Sequence, residues 1–336
     1  MTVADELAVP RSGDDVRQSL RSNAPLAAVL HVVTVVSNPC QYRRRYELAR
    51  RFMERTEHEP HVALYVVELA YGETPHQITD AQNPRHLQLR SQGQALWHKE
   101  NLVNCGVRAL LPPDWAAVAW IDADVAFESP TWAEDALRLL NGRFDVVQLF
   151  SLAEDLGPAD VPLNVFGAFG REHVRGAAFA GPGRYWHPGF AWACTRQAYE
   201  RCGGLLEVGI VGSGDYYMAA ALLGQAAQAL RADFTADYRQ AVLDWQRRAA
   251  GLRLGYVPGV LRHSYHGDKA KRQYKTRPAM LAQHAFAPSA HLARRADGLL
   301  EPSAACPPQL LQDLAGYFRA RDEDSIYRLR VPLAAP

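Results

Sequence analysis

The stretch AVAWIDADVAFESP, residues 117–130, carries an apolar run into two carboxylates, Asp122 and Asp124, one residue apart. An unpaired carboxylate is costly to bury, so the run must emerge at a solvent edge or meet a partner there. Side chains two apart on an extended chain point the same way. Two hard oxygen donors so placed suit Mg2+ or Mn2+. A cation held there would bind a diphosphate and stabilise its charge as it leaves. The pattern alone is weak, because Asp322-Glu323-Asp324 repeats it in a charged segment near the C-terminus where nothing marks a site.

Context separates the two. VLHVVTVVSNP reads as a buried strand ending at Ser37-Asn38, followed by an amphipathic helix over residues 42–55. VALYVVELA, residues 62–70, repeats the design and ends near Glu68, the alternation expected of a parallel α/β sheet. An irregular segment follows, then a helix over residues 94–111 stopped by Pro112-Pro113. The quoted stretch is the third strand and FDVVQLF, residues 144–150, the fourth. Open sheets of this kind bind ligands beyond the carboxyl ends of their strands, and Ser37-Asn38, Glu68 and Asp122–Asp124 all fall there.

Residues 151–186 are rich in Gly, Pro and Phe without a period, which predicts a long loop, functional or disordered. GFAWACTRQAYERCGG predicts a short strand and a helix closed by Gly203-Gly204. GIVGSGD opens another helix and sets Asp215 at its start, where backbone amides favour a carboxylate either as an N-cap or as a working group. The last forty-odd residues predict a mixed helical tail.

Several segments, in order, resemble the GT-A fold metal-dependent glycosyltransferases, in particular the β-1,4-galactosyltransferase group and glycosyltransferase-like proteins encoded by phages. ENLVNCGVRALL resembles the helix before that family's metal strand, and WIDADVAF the strand with its D-x-D. HPGFAWACTRQAYERCGG resembles the acceptor-side segment, VGSGDYYMA the turn carrying the catalytic carboxylate, and LRHSYHG the segment with the metal-binding histidine. These cover roughly residues 28–275. The resemblance implies a mixed, mostly parallel α/β sheet flanked by helices in a GT-A domain over residues 26–285; the polar, Ser-, Arg- and Asp-rich residues 1–25 read as a mobile arm and residues 286–336 as the helical tail.

It also implies roles. Asp124 would ligate Mn2+ or Mg2+ directly, with Asp122 at the ribose or a metal-bound water. His263 would be the second protein ligand, with His266 its rival. Asp215 would be the general base; its neighbours are Gly214 and Tyr216 where the family has acidic residues, so acceptor recognition would differ. Ser37, Asn38 and Glu68 would meet the nucleotide of a UDP-sugar. Arg85, Arg90 and Lys99 would contact its diphosphate, and Trp186 and His187 would wall the sugar site. The expected reaction is hexosyl transfer to an acceptor hydroxyl by direct, inverting attack.

The acceptor stays open. The basic run GDKAKRQYKTR places Lys269, Lys271, Arg272, Lys275 and Arg277 around Tyr274, just after the histidines. It would grip DNA phosphates beside a 5-hydroxymethylpyrimidine acceptor, hold the donor diphosphate, or form a solvated face. A glycan or small-molecule acceptor is the alternative, and a non-catalytic nucleotide-sugar or glycan-binding module is the reading from another class. A nucleotidyltransferase is a third, against which SNPCQYRRR offers no glycine to cradle phosphates.

Bulk composition adds bounds. A net charge of +1 gives no global attraction to nucleic acid or membrane. Five scattered cysteines without CxxC spacing argue against a disulfide framework or thiolate metal site and suit a reducing compartment. No apolar run is long enough to span a bilayer, and MTVADELAVPRSGDD lacks the pattern of a secretion signal. The expectation is a cytoplasmic protein of a bacterial or phage-infected cell.

Overall fold

The computed structural model describes residues 27–93, 95–179 and 186–329, so the expected N-terminal arm lies outside the described residues. In chain order the strands that frame the site are β1 (Leu30–Ser37), β2 (Val62–Tyr71), β3 (His86–Ser91), β4 (Ala117–Ile121), β5 (Val125–Phe127), β6 (Val146–Gln148), β7 (Leu152–Leu156), β8 (Pro162–Gly167), β9 (Ala191–Thr195), β10 (Leu254–Tyr256) and β11 (Val260–His263). The helices that matter are α1 (Arg43–Thr56), α2 (Lys99–Leu110), α3 (Trp132–Gly142), α4 (Arg196–Cys202), α5 (Gly214–Leu222), α6 (Ala236–Ala249) and α7 (Pro308–Ala320).

The central sheet has the order β10-β6-β9-β4-β1-β2-β3. Its pairings are parallel except at β9, which runs antiparallel to both β4 and β6. The fold is therefore the mixed, mostly parallel α/β class that the sequence led us to expect. Alternation along β1 divides its side chains between two cores: Val33 packs on one face with Val67 and Val118, while Leu30 and Val32 pack on the other with Val66 and Ala119. Each such aliphatic side chain stabilises the fold by about 1.5–3 kcal/mol when fully buried.

Helix α2 covers the first face at close range. A Cβ on Gly106 would stand 2.7 Å from Val67 and 3.0 Å from Val33, so only glycine lets the helix lie so near the sheet. That approach aims the N-terminal residues Lys99 and Glu100 at the carboxyl ends of the strands. The described part of residues 151–186 is not the structureless loop expected: it contains β7 and β8. These join β5 and β11 in a second sheet of order β5-β11-β7-β8. Strands of five and six residues leave too short a pattern for a period to show. β3 was missed for a related reason, as an edge strand of mixed polarity inside a Gly- and Pro-punctuated segment.

Candidate metal centre

The second sheet brings the chemistry together. β4 ends at Ile121, the chain turns through Asp122-Ala123-Asp124, and β5 begins at Val125. β11 lies antiparallel to β5 with His263 opposite Val125, and the Ser264 amide donates to the Asp124 carbonyl at 2.9 Å. The His263 imidazole thus arrives beside the Asp124 carboxylate. His266 follows through a short turn, so that Asp124, His263 and His266 offer ligand atoms all within 4.8 Å of one another. The structure does not choose between the two histidines as rivals; it gathers both.

The protonation states follow from partners. β7 runs parallel to β11 and sets Asp155 opposite His263, where Nδ1 of the ring meets Asp155 Oδ1 at 2.9 Å. Burial pushes the His263 pKa down to about 4, so the ring is neutral near pH 7. Its single proton lies on Nδ1, donated to the Asp155 carboxylate, and Nε2 keeps its lone pair. Burial also lowers His266, with the charge of Arg272 adding to the effect. A guanidinium only donates, so Arg272 Nη2 at 2.8 Å makes His266 Nε2 an acceptor. Burial opposes the charge on Asp124; protonated His266 and His263 would outweigh it and lower the pKa, and with both rings neutral Arg272 is the cation that remains beside the carboxylate.

Three lone-pair atoms therefore converge. His266 Nε2 lies 2.8 Å and His263 Nε2 3.8 Å from Asp124 Oδ2, and the two nitrogens are 3.3 Å apart. The other Asp124 oxygen, Oδ1, is buried without a hydrogen-bond partner among the described residues. A cation here would take from Arg272 the lone pair of His266 Nε2 and meet His263 Nε2 and Asp124 as well. Two imidazoles and one carboxylate form a mixed nitrogen and oxygen set that admits Mn2+ among the first-row divalent ions and leaves positions open for a further ligand. The residues present thus fit the metal that the sequence led us to expect.

Asp122 stands outside this cluster. Its carboxylate pairs with Lys99 at 2.5 Å, and its amide donates to Phe190 O at 2.8 Å. The geometry makes His266, rather than Asp122, the companion of Asp124 and His263. Phe190 holds the positive φ of 77° and stacks on His263 with ring centres 4.6 Å apart and on His187 at 4.0 Å. An aromatic residue in the left-handed region is a strained placement, and here it packs the wall behind the two imidazoles.

A cleft of about 910 Å³ opens over the centre. Ser37, Asn38, Lys99, Asp122, Asp124, Trp186, His187, Asp215, His263 and His266 all line it, as do Lys269, Arg272, Lys275 and Arg277 of the basic run. Asn38 is also busy locally, its side chain bridging the backbone of Tyr42 at 2.9 and 3.0 Å. Trp186 is fixed edge-on against Phe169 and Phe179. Asp215 lies in the first turn of α5, and a Cβ on Gly189 would stand 3.0 Å from its Oδ2, so glycine keeps this carboxylate accessible beside His187.

Three expected donor contacts lie elsewhere. Glu68 is buried and does not line the cleft; its oxygens accept from the Gln77, Ile78 and Thr79 amides at 2.6–3.1 Å. β2 continues to Tyr71, so Glu68 is not at the strand end where the apolar pattern placed it. Arg85 precedes β3 at the amino end of the sheet and stacks over Tyr65. Arg90 donates to the Gly72 and Thr74 carbonyls and does not line the cleft either.

The basic run is only partly a solvated face. Lys271 is exposed and pairs with Asp322. Arg272 and Arg277 are buried, at 7% and 4% exposure. Arg277 lies against the rings of Trp97, Tyr274 and Tyr317 and donates to the Tyr317 hydroxyl at 2.8 Å. Lys269 pairs with Asp155 and lies over the Phe166 ring. Sequence reasoning missed Asp155, which sits in the segment read as loop, and Glu323, the middle residue of the acidic triplet set aside as siteless. Glu323 lines the cleft.

No helix among the described residues is long and apolar enough to cross a membrane. No protein-family model and no curated protein matches the chain. Among solved structures it is similar to a Drosophila β-1,4-galactosyltransferase 7 mutant in complex with manganese, UDP-Gal and xylobiose, at 11% identity and a TM-score of 0.33, covering 68% of this chain and 64% of that one. The chain thus spans a little under two thirds of that structure. It is similar also to glucosyl-3-phosphoglycerate synthase from Mycobacterium tuberculosis with Mn2+, UDP-glucose and phosphoglyceric acid, at 13% identity and a TM-score of 0.35, covering 88% and 92%. A third is 4-diphosphocytidyl-2C-methyl-D-erythritol synthase from Anaerococcus prevotii, at 10% identity and a TM-score of 0.31, covering 74% and 90%. Likenesses this distant leave the reading of the site to its own geometry.

Proposed function

We propose that the chain is a metal-dependent hexosyltransferase of the GT-A kind, taking a UDP-sugar as donor and inverting its anomeric carbon. The observation that carries the reading is the convergence of Asp124, His263 and His266 on one point at the floor of a deep cationic cleft. When bound there, Mn2+ supplies positive charge to the donor diphosphate. Arg272 and Arg277, buried and with no carboxylate in salt-bridge range among the described residues, supply more from the wall. Lys99 is held protonated by Asp122 and Asp215 despite its burial. Trp186 and His187 narrow the sugar side of the cleft.

Asp215 takes the proton of the acceptor hydroxyl as that oxygen attacks the anomeric carbon. The bond from that carbon to the diphosphate oxygen breaks on the opposite face, and its electron pair leaves with the diphosphate. Base catalysis of this kind contributes about 10²–10⁴-fold. Mn2+-dependent release of UDP from UDP-hexoses, followed across an acceptor panel, tests the activity. Asp215→Asn is expected to lose turnover by that factor while donor binding persists; undiminished turnover, or a product that retains configuration, removes Asp215 from the role. Donor binding without turnover on any acceptor would favour the binding module.

For the acceptor we propose a 5-hydroxymethylpyrimidine in DNA. Tyr274 is 51% exposed and Lys275 is exposed at the cleft, a ring and a cation available for a base and a phosphate. The burial of Arg272 and Arg277 favours the competing reading, in which the basic run serves the donor and the acceptor is a small molecule or glycan. Turnover on modified DNA that falls steeply with salt decides for DNA.

A further inference from the structure

His263 has its own carboxylate in Asp155, and the chain provides a second one for His266. Gly267, at φ +92°, brings its backbone against the segment after α7: a Cβ there would stand 2.9 Å from Arg321 O and 3.2 Å from the Glu323 Cα. The close approach carries Glu323, only 1% exposed, to the far side of His266. Oε2 of Glu323 stands 3.4 Å from His266 Nδ1, within ion-pair range, and Nδ1 makes no hydrogen bond among the described residues. With Arg272 occupying the Nε2 side, Nδ1 is the nitrogen that carries the ring proton.

Glu323 is itself held from two sides. Arg45 of α1 reaches its two oxygens at 2.6 and 2.9 Å, and Arg321 donates to Oε1 at 2.6 Å. Its neighbour Asp324 accepts from the Arg43 and Arg44 amides at 3.0 and 2.8 Å, capping an α1 whose own N-cap residue, Tyr42, makes no side-chain cap. The acidic triplet is thereby pinned to the start of α1, next to the loop after β1.

We propose that Glu323 is a positioning residue for the metal centre, orienting His266 so that Nε2 faces Asp124, and that the segment after α7 completes the centre. This rests on the metal reading of Asp124, His263 and His266. A carboxylate behind a ligating imidazole fixes its tautomer and raises its basicity, and losing one typically costs about 10–100-fold in metal affinity.

The test is Mn2+ binding, by calorimetry and electron paramagnetic resonance, to the full chain without donor. Glu323→Gln is expected to weaken Mn2+ about 10–100-fold. The variant also leaves Arg45 and Arg321 without a counter-charge, which can loosen the fold. The pair Glu323→Gln with Arg45→Met relieves that repulsion and separates the two effects by its melting temperature. Recovered melting with Mn2+ still weak supports positioning. Mn2+ affinity that returns with the melting temperature, or that never fell, overturns it. A wild-type chain that binds no Mn2+ removes the centre itself, and this inference with it.

Discussion

Replacing Asp155 by Asn probes the best-defined contact behind the centre. Asp155 is 2% and His263 3% exposed, so their 2.9 Å bond is shielded from water. A hydrogen bond to a charged group contributes about 1.5–3 kcal/mol net and a neutral one about 1 kcal/mol. The amide oxygen of Asn still accepts from Nδ1, so the change should remove about 1–2 kcal/mol of ordering, or roughly 5–30-fold in Mn2+ affinity. Lys269 loses its partner too, but at 37% side-chain exposure it can turn to solvent, and folding should survive. Mn2+ titration at pH 7.5, with the melting temperature recorded beside it, is the assay. Wild-type Mn2+ affinity in Asp155→Asn, where His263→Ala has lost binding, would refute the argument that this carboxylate sets the ring.

Two further outcomes are expected. Burial raises the pKa of Glu100 to about 8 against the pull of Lys99, while the unfolded value is 4.5. The unfolded chain therefore releases this proton first, and stability should fall as pH rises from 4.5 toward 8, by up to about 1.4 kcal/mol per unit. Melting of Glu100→Gln should show a flatter pH dependence over that window, and an unchanged slope would rule out a buried neutral Glu100. For the metal, two imidazoles and one carboxylate should favour Mn2+ over Mg2+ by at least about tenfold; equal affinities by competition titration would mean that the histidines do not ligate.

Much of the frame was legible in the sequence, because β1, β2, α1 and β4 are long or strongly periodic. The end of β4 was legible too, since a buried run closing on two carboxylates has few explanations. What escaped depends on register between remote segments. Asp155 and His263 are 108 residues apart and meet only because β7 and β11 pair in one frame. Glu323 looked like part of a solvated charged segment because nothing local announces Arg45, Arg321 or the room that Gly267 leaves for it. Glu68 misled in the opposite direction: a carboxylate in an apolar strand suggests a ligand, yet loop amides nine to eleven residues on already satisfy it.

The three converging ligand atoms come from residues 124, 263 and 266, on opposite sides of most of the domain's chain. An unfolded polypeptide cannot hold them together, so a cation that binds here binds the native state almost alone. By mass action, free ion at a hundred times its dissociation constant adds about 2.7 kcal/mol to the folding free energy. A chelator would then act on this protein as a mild denaturant, and its thermal midpoint would serve as a gauge of occupancy.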